Sequence, residues 1–258
     1  MNTYLETHLK QLCLPGMREN LAIRLLEAQT AQLGYEQFLE LLVQDELALR
    51  SDRKIARALK AARFKNLKPI DRFDWQFNPN LDRRRILELA TCAFIREHTD
   101  LLMIGPPGTG KTHLAQGIGY EAIKRGHTVR YVSIFELVRE LMDEEALTSG
   151  RLLGKYLKPD LLIIDDMGLK QLPARAGEHL FEVIMRRYEL RSTLMTSNRP
   201  IEDWGHLIGD VPAAGAILDR LLQGAEVIPF KGRSYRLRNK TTSQSETPVD
   251  KQEKKGDL

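Results

Sequence analysis

Cysteine is nearly missing from this chain: Cys13 and Cys92 are the two among 258 residues. They are too few and too far apart for a disulfide framework or a zinc site, and both are expected to stay reduced as structural residues. Long apolar runs are missing too. The opening MNTYLETHLK has no apolar stretch of signal-peptide length, and no later run nears the roughly 20 residues that span a bilayer. A cytoplasmic protein with no membrane partner is the expectation. The histidines (His8, His98, His113, His127, His179 and His206) show no close ligand spacing, so no transition metal is expected. Charge of one sign is scarce as well. Basic residues number 39 and acidic residues 35, leaving +4, too little as a total to mark a nucleic-acid binder.

What is present is an ordinary core-forming composition, 42% hydrophobic and 29% charged. The length allows one large α/β domain with an appendage. Residues 1 to about 65 read as a small all-helical domain for DNA or partner binding. Thr3 and Glu6 have capping-box spacing, with Leu5, Leu9 and Leu12 on one face. Pro15-Gly16 breaks that pattern, and helical periodicity resumes through Leu21, Leu25 and Ala28. Gly34 is the expected C-terminal cap of this second helix. A third helix is predicted from Tyr35 to Phe64, carrying Phe38, Leu41, Leu42, Leu49, Ile55 and Leu59.

Residues 66–80 (NLKPIDRFDWQFNPN) form a linker whose Phe73, Trp75 and Phe77 either cover an adenine ring or pin the linker to the core, the second reading being favoured. From residue 81 to 238 short apolar strands alternate with helices. The strand candidates are 101–105, 128–133, 160–165, 193–197 and 225–230, and the intervening helices are 112–125, 134–147 and 175–191. Continuous apolar strands between helices predict a parallel five-stranded sheet covered on both faces. The polar tail, 239–258, is too poor in apolar residues to fold and is expected to be disordered.

Charge distribution tells more than its sum. Between Arg50 and Arg72, nine basic residues stand against Asp52 and Asp71, an excess of seven. Arg50, Arg53/Lys54, Arg57, Lys60 and Arg63 recur every three or four positions, so along a helix they form a stripe that either meets the phosphates of double-stranded DNA without reading bases or is a solvated face, the first reading being favoured. Lys65, Lys68 and Arg72 complete the nine, and from Lys231 to Lys240 there are five more basic residues and no acid.

Chemistry is concentrated at strand ends. Gly105-Pro106-Pro107-Gly108-Thr109-Gly110-Lys111-Thr112 is a complete G-x-x-x-x-G-K-T between a predicted strand and a predicted helix. In that setting glycines let backbone N–H groups curl around phosphates of ATP, Lys111 neutralises the β- and γ-phosphates, and Thr112 offers a hydroxyl to Mg²⁺. His113 follows directly. The apolar run Leu161–Ile164 ends in Asp165 and Asp166: the first is expected to hold Mg²⁺, the second to orient or deprotonate an attacking water. Thr196-Ser197-Asn198 closes the next strand, and Asn198 is the candidate that positions water or senses the γ-phosphate.

These residues together resemble the AAA+ ATPases of the initiator and helicase-loader group. GPPGTGKT, ARFKNLKPIDRFDW, LLIIDDMG, ILDRLLQGAEVI and GRSYR more closely resemble the IstB-like ATP-binding proteins encoded beside insertion-sequence transposases. The resemblance covers nearly the whole chain. It implies an AAA+ fold, an ATPase completed between subunits of a homo-oligomer, and a transposase partner to which target DNA is delivered. It further implies that Arg220, within Ile217–Leu222, is the arginine finger, with Arg187 as fallback, and that Arg233 or Arg236 contacts nucleotide or DNA. Asp166 stands where the wider class has Glu, and 28 residues after Phe230 are too few for a helical lid. A DnaC-like loader of the replicative helicase is the alternative.

Overall fold

The computed structural model describes residues 3–64, 66–147, 151–173, 175–208 and 211–237; Lys65 and the polar tail lie outside them. The chain divides into two compact units, Met1–Arg63 and Phe64–Leu258.

The first unit consists of α1 (Thr3–Gln11), α2 (Pro15–Ala31) and α3 (Tyr35–Ala62). Its core is small: Leu9, Leu21 and Leu42, with Leu14, Met17 and Phe38 against them. Pro15 opens α2, where a missing N–H costs nothing. The freed N–H groups of Gly16 and Met17 donate to one carboxylate oxygen of Glu46, at 2.6 and 3.3 Å. The other oxygen takes the Arg50 guanidinium at 2.7 Å. Burial works to raise the Glu46 carboxyl, yet these donors hold it below the usual carboxylate range. Gly16 makes the crossing of α2 and α3 possible, since a Cβ there would stand 2.6 Å from Glu46 Cα. The turn between these helices differs from expectation. Gln32, in left-handed conformation at φ 50°, caps α2, while Gly34 begins α3 and its N–H donates to the Gln37 carboxamide. Gln37 can reach back to Gly34, so the helix start claims the glycine.

The second unit is built around five parallel strands in the order β2-β3-β4-β1-β5. After a 3₁₀ turn at Ile70–Arg72 come α4 (Arg83–Leu89), α5 (Ala93–Arg96), β1 (Asp100–Ile104), α6 (Lys111–Lys124), β2 (Val129–Ser133), α7 (Ile134–Leu147) and α8 (Arg151–Leu157). They are followed by β3 (Leu161–Met167), α9 (Ala176–Arg187), β4 (Ser192–Ser197), α10 (Trp204–Ile208), α11 (Val211–Gly224) and β5 (Ala225–Pro229). Strands β1 to β4 are buried almost throughout, as their uninterrupted apolar runs require. One side of the sheet packs a core that includes Leu102, Val132, Leu162, Ile164, Met195 and Trp204.

Arg187 ties the sheet's rear edge. It is 1% exposed and donates to the carbonyls of Tyr156, Leu157, Pro159 and Ser192 and to the Thr193 hydroxyl. Burial lowers its guanidinium to about 10. This overturns Arg187 as fallback finger, because its guanidinium is buried and all three of its nitrogens donate inside the fold.

Candidate nucleotide site

Parallel order aligns the C-terminal tips of β3, β4 and β1, where open α/β sheets take their ligands. The turn Gly105–Gly110 leads from β1 into α6. Gly108 and Gly110 have φ of 81° and 103°, left-handed values that disfavour any side chain. A Cβ would also stand 2.1 Å from Ser234 Oγ at Gly108 and 2.5 Å from Phe73 Cε2 at Gly110. Lys111 is 4% exposed, and its ammonium donates to the carbonyls of Gly105 and Pro106 at 2.6 and 2.8 Å. Burial draws its pKa down to about 8, against the pull of Asp165 and Asp166.

The acid pair owes its geometry to a β-bulge. Ile164 pairs with Met195 and Met167 with Ser197, so Asp165 and Asp166 together face Thr196 alone. In a regular strand two consecutive side chains point to opposite faces. The bulge, with Asp166 in left-handed conformation at φ 69°, breaks that alternation near the C-terminal end of β3. Asp165 is fully buried: Oδ1 accepts from the Thr112 hydroxyl at 3.1 Å, from the Asp166 N–H at 2.9 Å and from the Thr196 hydroxyl, while Oδ2 accepts from Tyr131 at 2.5 Å. Asp166 instead lines a cavity of about 400 Å³ beside the loop, a volume suited to a small organic ligand.

That cavity is walled by Phe73, Phe77 and Asn78, by the loop from Pro107 to Thr112 with His113, by Asp166 and Asn198, and by Tyr235 and Arg236. His113 is fixed in the wall by the Pro69 carbonyl at 2.9 Å and edge-on contact with Phe73. The aromatic cluster packs as its favoured reading expects and also borders the cavity. Phe73 packs against Trp75 and Phe77 against Tyr235, yet Phe73 and Phe77 also face the cavity. The Asn198 N–H donates to the Met167 carbonyl at 2.8 Å, placing its side chain at the tip of β4.

The chain matches the IstB-like ATP binding protein family over residues 7–243. It belongs to that family. Its relatives include the ATP-binding protein of insertion sequence IS5376 from Geobacillus stearothermophilus, 39% identical over 242 residues spanning 93% of this chain and 96% of the relative. Another is the ATP-binding protein of IS21 from Pseudomonas aeruginosa, 34% identical over 96% of each. Among solved structures the chain is similar to the DnaC helicase loader (TM-score 0.53, 22% identity, 64% of this chain and 97% of that one). It is also similar to AMPPCP-bound DnaA from Aquifex aeolicus (TM-score 0.54, 21% identity, 70% of this chain and 56% of that one). The fold of this IstB-like chain is thus the AAA+ P-loop fold, with a helical unit ahead of it.

Of the other candidate residues, Arg236 alone borders the cavity. Arg220 on α11 is partly exposed, stacked at 5.7 Å over Tyr188 and bonded to Gln223, and it does not line the cavity of its own chain. Arg233 is exposed and also off the cavity, whereas Arg236 lines it. In the first unit Arg50, Arg53, Lys54, Arg57, Lys60 and Arg63 are all exposed, but Arg50 is engaged by Glu46 and the Cys13 carbonyl. Arg63 ends α3 at φ 60°. Cys13 and Cys92 are free thiols, and burial raises Cys92 to about 11. No helix among the described residues is long and apolar enough to cross a membrane.

Sequence reasoning passed over Tyr131 and Thr196, the hydroxyls that hold Asp165. Thr196 stood in the strand-end triplet, next to the amide that drew attention. Tyr131 sits in an apolar strand with no motif around it, and only the pairing of β2 with β3 brings it to Asp165.

Proposed function

We propose that this protein is an ATP- and Mg²⁺-dependent ATPase that oligomerises on double-stranded DNA and delivers target DNA to, or activates, a partner transposase, with hydrolysis driving disassembly. The observation that carries this reading is that Lys111, Thr112 and Asp166 line one cavity and the buried Asp165 is bonded to Thr112, in a chain whose relatives are ATP-binding proteins of insertion sequences.

The N–H groups of the Gly105–Thr112 loop and α6 cradle the phosphates, and Lys111 exchanges its carbonyl partners for phosphate oxygens. Phe73, Phe77 and Asn78 enclose the base side of the cavity, with Arg236 adding a cation. Thr112 and Asp165 fit Mg²⁺: a hydroxyl and a carboxylate 3.1 Å apart are hard oxygen donors, and the ion customarily takes few protein ligands beside phosphate and water. When bound, Mg²⁺ supplies charge neutralisation at the β- and γ-phosphates. Asp166 orients or deprotonates water, and Asn198 positions it. Arg220, away from its own cavity, serves a neighbouring subunit, where its planar guanidinium matches phosphate oxygens. Arg53, Lys54, Arg57, Lys60 and Arg63, with Arg50 behind them, contact DNA phosphates.

The test is DNA retention by purified protein with ATP, without ATP, and as Lys111→Ala. ATP-dependent binding lost in the variant is expected; binding indifferent to ATP, or ATP affinity unaffected in Lys111→Ala, overturns the reading. Pull-down with the transposase against the replicative helicase separates this role from that of a helicase loader.

A further inference from the structure

We propose that Tyr131 is a positioning residue for the Asp165 carboxylate, held in register by Phe64; this rests on the reading that Asp165 holds Mg²⁺. A carboxylate meant to receive a cation must keep one rotamer, and Asp165 is pinned from two sides. Thr112, Thr196 and the Asp166 N–H meet Oδ1, whereas the Tyr131 phenol meets Oδ2 from the neighbouring strand. Phenylalanine would fill the same buried volume at β2. A fully enclosed hydroxyl is retained against its desolvation cost when it has a partner, and here that partner is the buried carboxylate.

The ring has its own support. Phe64 lies 5.9 Å from Tyr131, centroid to centroid, at 53° between planes. Gly119 of α6 leaves the space that Phe64 uses, since a Cβ there would stand 2.9 Å from Phe64 Cζ and 2.7 Å from Ile163 Cδ1. Phe64, Tyr131 and Asp165 thus form a file of contacts that ends at the carboxylate.

Removing the hydroxyl leaves Oδ2 without that donor and frees the carboxylate to turn. The experiment is titration of Mg²⁺ into Tyr131→Phe with a fluorescent ATP analogue, read by nucleotide binding and by metal-dependent melting. The half-saturating Mg²⁺ concentration should rise roughly tenfold, the effect of one hydrogen bond to a charged group. Nucleotide affinity without Mg²⁺ should not change. Phe64→Ala should shift the Mg²⁺ midpoint in the same direction and Phe64→Leu restore most of it, which keeps the test available if Tyr131→Phe melts early. An unchanged midpoint, or equal loss of affinity with and without Mg²⁺, overturns the proposal. If wild-type nucleotide binding ignores Mg²⁺ altogether, the assignment of Asp165 fails first, and that result is distinct.

Discussion

At Lys111 the folded chain encloses an ammonium whose pKa burial draws from 10.5 to about 8. The folded state therefore disfavours the charged form. Stability from this residue is fullest above the unfolded value of 10.5 and is lost as the pH falls through 8. Replacing it with an uncharged chain of similar length should stabilise the nucleotide-free protein at pH 7 by on the order of 2 kcal/mol, while nucleotide binding disappears. A thermal melt of Lys111→Met beside wild type, at pH 7 and at pH 10, checks this: the gap should narrow at the higher pH. Asp166 invites a second substitution. Asparagine tolerates the left-handed conformation better than most residues, so Asp166→Asn should fold and bind ATP yet lose at least about a hundredfold in turnover, the usual span of acid–base assistance. Single-turnover phosphate release measures it. Lys111 and Asp165 were legible in the sequence because their spacing and strand context are fixed by phosphate chemistry. The bulge that turns Asp166 was not, because LLIIDDMG reads as a regular strand and the extra residue shows only against β4.

Elements show the same division. All five strands of the sheet stand where apolar runs placed them; for β1 to β4 the reason is that a strand buried on both faces has few other ways to be written. Helix ends were harder: Gly34 was assigned to the helix before it, because glycine marks ends generally and the reach of Gln37 back to it is a matter of geometry. The crossing of α2 and α3 offers a test. Gly16→Ala forces a Cβ to 2.6 Å from the Glu46 backbone and should cost the first unit about 1–3 kcal/mol, as overpacking does. Urea unfolding followed by helical circular dichroism should show an early transition, with ATP binding by the second unit retained. Arg187 marks the limit of resemblance. The resemblance offered it as a fallback finger, whereas its place at the back of the sheet, among four carbonyls, assigns it to the fold.

For the whole molecule, two measurements test the proposed DNA contacts and the proposed action of Arg220 on a neighbouring subunit. Double-stranded DNA affinity should fall steeply with salt, and exchanging Arg53, Lys54, Arg57 and Lys60 for glutamine should flatten the slope of log K against log salt by about 3 to 4, close to one per phosphate contact. Arg50→Gln alone should change it little, because Glu46 already holds that guanidinium. If Arg220 acts on a neighbour, Arg220→Ala and Asp166→Asn should each be inactive alone, and mixing them should restore part of the ATPase. Recovery absent at every mixing ratio would remove Arg220 from that role. One further consequence concerns the order in which the site is made. Residues 105–112 leave the ribosome early, but the wall behind their loop arrives with the last strand: the Phe230 N–H bonds the Ile104 carbonyl, the Tyr235 N–H bonds Gly108, and Ser234 fills the space that glycine leaves. A nascent chain halted before residue 230 carries the entire phosphate motif in a cradle with one side open. Order at the phosphate loop is thereby tied to docking of the last strand and the turn that follows it, so a chain lacking residues 230–235 should bind nucleotide more weakly.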